Sequence, residues 1–430
     1  MKIVLFSPSI ETSAIAQTSQ MLVDQLAKSG HQIVLVASEI ESNVGKKLKF
    51  NCNKLLEHTN FAQVEDALNA ADVVCYQVGD NYDYHGGLIS YLIRYPGVVI
   101  LHDFFVPHLF YSWALSDPKC ARQIFSKIQP DSNFDVFVKE IGQRDFLERH
   151  IGNYQLVGWI ASMASSVITH SEWGLSYFKD FSAGPIRIIP LIPSQKLLAQ
   201  TFIPAERSDE FVVLTVGNVN YNKRASQIIR AISCNPSLVE NTIYRIVGSI
   251  NPTIANELNR LASELGVRIE ITGEVNDADL HYYLSRASVV TCLRFPALES
   301  SSASLIEALF SEKATIVVDT GCYREIPDDC VMKIDIENEI EEICESLTRL
   351  LNDVELRASI AKKGHDWARL NYDVRKYVGA VESALAEEVQ NRYQANLSME
   401  VAAQLVEWFP KSIPNVVLDR LGMRINGIFE

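Results

Sequence analysis

Residues 211–232 read FVVLTVGNVNYNKRASQIIRAI: six apolar or β-branched residues, a glycine, a polar turn, then apolar residues at helical spacing. A run with so little polar interruption suits a strand covered on both faces, as in a parallel sheet between two layers of helices. Gly217 permits the tight turn, and Lys223 is expected to open the helix. The unit repeats towards the C-terminus, with strands expected at 243–247 (IYRIV), 268–271 (RIEI), 288–291 (SVVT) and 314–318 (ATIVV). It repeats towards the N-terminus as well, at 2–6 (KIVLF), 32–37 (QIVLVA), 72–76 (DVVCY), 97–101 (GVVIL), 166–169 (SVIT) and 186–189 (IRII). A helix is expected from Ala14 to Ser29, stopped by Gly30, and another from Ser171.

Between the two series, Pro190, Pro193 and Pro204 interrupt all periodicity, which marks a linker. The reading is an α/β protein of two doubly wound, Rossmann-like domains facing a central cleft. Its boundaries are 1–190, a linker at 191–210, a second domain at 211–372, and C-terminal helices at 373–430 crossing back to the first. Ligands of such sheets sit beyond the carboxyl ends of the strands, so the loops after the strands are where chemistry is sought.

The chain has 430 residues, 47% hydrophobic and 21% charged, enough for a core in each domain and unlike a disordered chain. Its net charge of −14 opposes contact with a nucleic acid backbone and leaves small anions open. The first residues are too short an apolar run for a signal peptide, and no window suits a membrane span, so a cytoplasmic protein is expected. Lys46, Lys47 and Lys49 would suit peripheral contact with anionic lipid, or simply a solvated loop. The eight cysteines are scattered without a C-x-x-C pair and read as reduced thiols.

G-x-G-x-x-G, the P-loop, G-x-S-x-G and H-E-x-x-H are all missing from the sequence, against a dehydrogenase, P-loop enzyme, α/β-hydrolase or zincin. Asp277 and Asp279 follow Asn276 as a helix first turn would. The segment 294–310, RFPALESSSASLIEALF, places Glu299 in a loop and Glu307 inside the next helix. Ser300, Ser301 and Ser302 would open that helix, whose free N–H groups suit a diphosphate. The two carboxylates would then accept hydrogen bonds from vicinal hydroxyls at either end of it. A serine-capped surface helix with incidental acids is the alternative. After 314–318 comes DTGCYREIP, with Gly321 and Glu325 at another loop-to-helix junction.

Gly-x5-Lys after the first strand of the second domain, P…E-x7-E after its fourth, and G-x-x-x-E after its fifth together resemble retaining glycosyltransferases of family 4, the group 1 class with the GT-B fold. "SGHQIVLVAS" at 29–38, "LHDF" at 101–104 and "THSEWG" at 169–174 extend the resemblance over nearly the whole chain. It implies transfer of a sugar from a nucleotide diphosphate sugar to a carbohydrate or lipid-linked glycan, in polysaccharide or glycoconjugate synthesis, with no metal or other cofactor. Lys223 would bind the donor diphosphate, Glu299 the transferred sugar and Glu307 the ribose. His102 would lie near the reacting face of the sugar. Gly217, Asn218, Arg224, Arg294 and Ser300 to Ser302 complete the donor side. Ser9, Glu11, Thr12, Tyr82, Tyr84, Asp103 and Phe104, in loops after strands of the first domain, are the expected acceptor contacts.

Two departures stand out. Asn218 occupies the place where the family usually has an arginine, so that Arg294 or Arg224 would have to supply the second phosphate cation. The loop after the first strand, SPSIETSAIAQ, has no glycine where the family tends to have several. Both leave room for a catalytically silent subunit that binds a sugar nucleotide beside a partner transferase. An epimerase or glycosidase of similar architecture is a third reading.

Overall fold

The computed structural model describes residues 1–41, 45–143, 145–150, 152–193, 197 and 210–408. Most of the expected linker at 191–210, and residues 409–430 of the expected returning helices, lie outside the described residues.

The first sheet contains β1 (Lys2–Ser7), β2 (Gln32–Ala37), β3 (Lys54–Glu57), β4 (Val73–Val78), β5 (Val98–Leu101), β6 (Ser166–Thr169) and β7 (Ile186–Ile188). Its order is β3-β2-β1-β4-β5-β6-β7, with every pairing parallel. The helices between them are α1 (Ala14–Lys28), α2 (Phe61–Ala70), α3 (Tyr82–Arg94), α4 (Pro107–Ala114), α5 (Pro118–Ile128), α6 (Phe134–Glu140), α7 (Phe146–His150) and α8 (Val157–Met163). Alternation along β1 explains why its sequence is apolar throughout. Val4 and Phe6 point into one core, with α2 and α3, while Ile3 and Leu5 point into the other, with α1.

The second sheet contains β8 (Phe211–Val216), β9 (Thr242–Val247), β10 (Ile269–Gly273), β11 (Val289–Cys292), β12 (Ala314–Val318) and β13 (Met332–Ile334), in the order β10-β9-β8-β11-β12-β13. It is flanked by α9 (Ala225–Ser233), α10 (Pro236–Asn241), α11 (Pro252–Leu265), α12 (Asp277–Arg286), α13 (Ala303–Phe310), α14 (Glu339–Asn352) and α15 (Val354–Asn371). In both sheets the order reverses beside the first strand, at β1/β4 and at β8/β11. That opens a crevice at the carboxyl end of each sheet.

The last helix, α16 (Val374–Trp408), leaves the second domain and lies on the first: Tyr377, Val378, Val381, Ala384 and Leu385 join the core of Leu5, Leu22 and Ile100. Glu382 accepts from His31 Nε2 at 2.7 Å, and Glu387 pairs with Arg187.

Three expectations are corrected. The edge strands β3 and β13 carry Lys54, Glu57 and Lys333 in runs of four and three residues, too short and too charged to read as strands. No α-helix begins at Ser171. The chain turns through two 3₁₀ turns, Leu175–Tyr177 and Lys179–Phe181, because Ser171 Oγ and the amides of Glu172 and Trp173 bond across to Ser300 O and the Glu325 carboxylate. Tyr82 and Tyr84, expected in a loop, lie in a helix: α3 starts at Tyr82 with Asn81 accepting from the Asp83 amide at 2.9 Å.

Candidate active site

The second domain supplies the charged half. β8 is followed by Gly217 at φ +98°, and a Cβ on Gly248 would stand 2.1 Å from Gly217 O, so the loops after β8 and β9 meet backbone to backbone. Lys223 lies in a 3₁₀ turn, Tyr221–Lys223, rather than opening the helix, and only 4% of it is exposed. Its Nζ donates to Val216 O. Burial lowers its pKa to about 8, aided by the Arg294 charge and opposed by Cys292, Glu299 and Glu307. Arg224 does not join it. In a left-handed conformation, φ +58°, its guanidinium turns to Glu339 on α14, with Nε and Nη2 at 2.9 and 2.6 Å from the two carboxylate oxygens. Asn218 is exposed beside Gly217.

The loop after β11 brings Arg294 and Glu299 together: Nε stands 3.1 Å from Glu299 Oε1, the oxygen to which the Tyr323 hydroxyl donates at 2.8 Å. Phe295 N–H donates to Asn222 O at 2.9 Å, tying this loop to the turn that carries Lys223. The serines divide their roles. Ser300, expected to offer a free amide, donates it to His102 O at 2.7 Å, and its hydroxyl bonds Leu101 O and His102 O. Ser302 caps α13, and Ser301 is half-buried. Glu307, half-buried in α13, is pushed up to about 7 by burial, with Lys223 opposing and Asp277 adding. Lys223, Arg294, Glu299 and Glu307 thus form one cluster, joined by Tyr323. Tyr323 was missed although it sits between Gly321 and Glu325.

On the first domain, the ring of His102, expected near the sugar, is held by two side chains of its own domain. His170 Nδ1 is 2.8 Å from Ile189 O, an acceptor, so Nδ1 carries the proton and Nε2 accepts. His102 Nδ1, 3.2 Å from that Nε2, must then be the donor. His102 Nε2, 2.7 Å from the Gln77 side-chain amide, is left to accept, which orients the Gln77 NH₂ towards it. In the opposite orientation Gln77 Nε2 is buried without a partner among the described residues. Burial, with His170 and His85 beside it, drives the His102 pKa well down, so the ring is neutral. Both ring nitrogens are committed to protein partners, and what His102 gives to the second domain is its carbonyl.

The expected acceptor contacts separate in the same way. Phe104 is fully buried, edge-on to Trp173 with centroids 5.1 Å apart, and offers no free face. Ser9 is buried: its amide and that of Ile10 donate to one oxygen of Glu39, itself 3% exposed at the end of β2. This internal carboxylate occupies two amides of the glycine-free loop, and among the described residues its other oxygen has no hydrogen-bond partner. Glu11 pairs with Lys46 at 2.9 Å and Lys47 pairs with Glu57, so two of the three lysines of the basic cluster are neutralised. Thr12 Oγ1 and Tyr84 Oη meet at 3.3 Å near the surface, with Tyr82 half-buried nearby on α3. Asp103 lies at the domain junction, its backbone bridged to Glu299, and burial lifts its carboxyl to about 7.

Residues 199–367 match the family model of glycosyl transferases group 1. Over that stretch the second domain is similar to group 1 glycosyltransferases. Solved structures share the whole two-domain architecture, the GT-B fold. Sucrose-phosphate synthase of Thermosynechococcus elongatus superposes with a TM-score of 0.62 at 15% identity, over 90% of this chain and 98% of its own. HepE of Anabaena, in complex with UDP, superposes at 0.60 and 15%, over 90% and 100%. A glycosyltransferase of Rickettsia africae gives 0.61 and 13%, over 91% and 99%. No curated protein matches this chain. No helix among the described residues is long and apolar enough to cross a membrane. In the domain that carries this similarity the cluster around Lys223 lies beyond the carboxyl ends of β8 and β11, at the switch point of the sheet.

Proposed function

We propose that the protein is a retaining glycosyltransferase that moves a sugar from a nucleoside diphosphate sugar to a hydroxyl of a carbohydrate or lipid-linked glycan, in polysaccharide or glycoconjugate synthesis on the cytoplasmic side. The observation that carries this reading is the buried ammonium of Lys223 grouped with Arg294, Glu299 and Glu307 beyond the ends of β8 and β11. Lys223 and Arg294 supply the positive charge that a departing diphosphate needs, so the reading calls for no metal. Glu299 and Glu307 accept hydrogen bonds from hydroxyls of the sugar and the ribose.

In the reaction the bond from the anomeric carbon to the diphosphate oxygen breaks and one to the acceptor oxygen forms on the same face. The acceptor's proton passes to the leaving diphosphate, so no separate base is required. The protein's part is electrostatic stabilisation of charge developing on that diphosphate. The complex of HepE with UDP-glucose makes that nucleotide sugar the first donor to assay.

A second reading, a silent nucleotide-sugar-binding subunit, is favoured by the exposed Asn218 in place of an arginine and by the occupation of the first-loop amides by Glu39. A panel of nucleotide sugars, assayed for release of nucleoside diphosphate and for the anomeric configuration of the product by NMR, separates the two. Slow release with a retained anomer supports the transferase, and Lys223→Ala should lower that turnover by about 10²–10³-fold. Nucleotide binding without release from any donor would overturn it in favour of the silent subunit.

A further inference from the structure

Of the motifs that follow the strands of the second domain, G-x-x-x-E is the one the charged cluster leaves without a task. Gly321 to Glu325 form a 3₁₀ turn after β12. The glutamate that ends it lies at the exposed rim of the domain junction. Its Oε1 accepts the amides of Glu172 at 2.8 Å and Trp173 at 3.0 Å, both from the loop after β6 of the first domain. Two charge-assisted bonds to one oxygen fix the direction in which that backbone arrives.

Trp173, set by these bonds, reaches across to Glu299. Its indole N–H donates to Glu299 O at 3.2 Å. The ring stands edge-on to Phe104 of the first domain and packs against the second-domain core that contains Tyr323. Leu298 makes the reciprocal crossing and packs against the first-domain core. The backbone joins in, since the Phe104 amide donates to Leu298 O at 2.8 Å and the Ser300 amide to His102 O at 2.7 Å, with Asp103 opposite Glu299. Glu299 is therefore the middle residue of a short antiparallel ladder between the domains.

The far end of Glu299 is held by the same 3₁₀ turn. The Tyr323 hydroxyl, two residues before Glu325, donates to Glu299 Oε1 at 2.8 Å, and Arg294 Nε lies 3.1 Å from that oxygen. The contacts close a ring: from the Glu299 carboxylate to Tyr323, along the turn to Glu325, across to the 172–173 amides, and through the Trp173 indole back to the Glu299 carbonyl. Anchoring both ends of a glutamate leaves its side chain few rotamers, which is how a binding group is kept in place. With Oε1 taken, Oε2 is the oxygen left to accept from a ligand; among the described residues it has the Leu298 amide at 3.4 Å. Lys223, on Val216 O, and Glu307, inside α13, stand outside the ring.

We propose that Glu325 and Trp173 are positioning residues that hold Glu299 for the transferred sugar across the domain junction, so that recognition of the sugar, unlike that of the nucleoside diphosphate, depends on this ring. The assignment of the sugar to Glu299 rests on the transferase reading above.

The test uses the full chain and three variants. Glu325→Ala removes the acceptor of both amides at an exposed position, Glu325→Gln keeps a carbonyl oxygen there, and Trp173→Phe keeps a ring and removes the N–H. Without nucleotide, hydrogen exchange at the Trp173 and Ser300 amides is followed together with the Arg294 Nε–H NMR signal, which reports the Glu299 carboxylate. With nucleotide, calorimetry gives affinities for UDP-glucose, UDP-N-acetylglucosamine and GDP-mannose beside UDP and GDP. Glu325→Ala should speed exchange at both amides about tenfold, move the Arg294 signal, and weaken the preferred nucleotide sugar about tenfold while its nucleoside diphosphate stays within about twofold. Trp173→Phe should move the Arg294 signal and give the same split in affinity. Glu325→Gln should stay within about threefold of native in exchange and in affinity. The proposal is overturned if the Arg294 signal is unmoved in Glu325→Ala, if nucleotide sugar and nucleoside diphosphate weaken equally, or if Glu325→Gln is as impaired as Glu325→Ala. A native chain that binds no nucleotide, with exchange and the Arg294 signal responding as expected, upholds the positioning of Glu299 and removes the transferase reading instead.

Discussion

Replacing Lys223 by methionine should separate what this residue costs the fold from what it does for a ligand. The side chain is buried, and desolvation, with Arg294 nearby, lowers its pKa from 10.5 to about 8. Holding the ammonium charged at neutral pH therefore costs about 3 kcal/mol. The folded chain releases this proton near pH 8, whereas the unfolded chain keeps it to about 10.5. The folded state thus binds fewer protons across that window, and stability rises with pH there. Methionine removes the cost together with the hydrogen bond to Val216 O, worth about 1 kcal/mol. A net gain of up to about 2 kcal/mol remains at pH 7, or about 4–8 °C in melting temperature for a domain of this size. A diphosphate needs the charged form, so affinity for UDP in the native protein should fall as pH rises above about 8. In Lys223→Met it should be at least tenfold weaker at pH 7 and flat with pH over that range. Differential scanning calorimetry with and without UDP, at pH 7 and 9.5, gives both quantities. A variant that melts several degrees lower and binds UDP as tightly as the native protein would refute the reasoning and make Lys223 a structural pin.

Arg224→Ala should leave Glu339 buried and unpaired, costing about 3–5 kcal/mol in denaturant unfolding, while UDP affinity stays within twofold. A selective loss of UDP affinity would return Arg224 to the diphosphate. Ser300→Ala removes the hydroxyl bonds to Leu101 and His102 and should cost about 1–2 kcal/mol. Faster hydrogen exchange at the Ser300 amide would show the junction loosening, and unchanged exchange would argue against it. His85 and His170 are each lowered to about 4 by burial. Between pH 4 and 6.5 the unfolded chain binds their protons and the folded chain does not, so stability should fall on acidification, by up to about 1.4 kcal/mol per pH unit for each histidine. A His170→Gln variant with the same acid slope as native would contradict that assignment.

The strands that were legible in the sequence are those covered on both faces, where every residue must be apolar and the run is continuous. β3 and β13 escaped because an edge strand is free to carry lysine and glutamate. The grouping of Lys223, Glu299 and Glu307 was legible because each follows a strand of one parallel sheet, and parallel strands bring their following loops to the same end. The partners of these residues were not. Arg224 meets Glu339 across 115 positions, and Ser300 reaches Leu101 across 199. Nothing local distinguishes a serine amide that will hold a ligand from one that will hold the other domain. His102 shows the same limit: its ring is claimed by Gln77 and His170, from β4 and from the loop after β6, whose approach only the folded sheet reveals.

Glu39 gives the missing glycines a reason. A loop whose bare amides must close on an outside anion needs glycine so that nothing stands between backbone and ligand. Here the chain brings its own anion, from the next strand, to the amides of Ser9 and Ile10. Side chains at 9 and 10 are then no obstacle, because nothing larger than a carboxylate has to approach. The acid at 39 and the side chains at 9 and 10 are therefore physically coupled: with the acid removed the two amides would be free, and only then would side chains at 9 and 10 stand in the way of an outside anion.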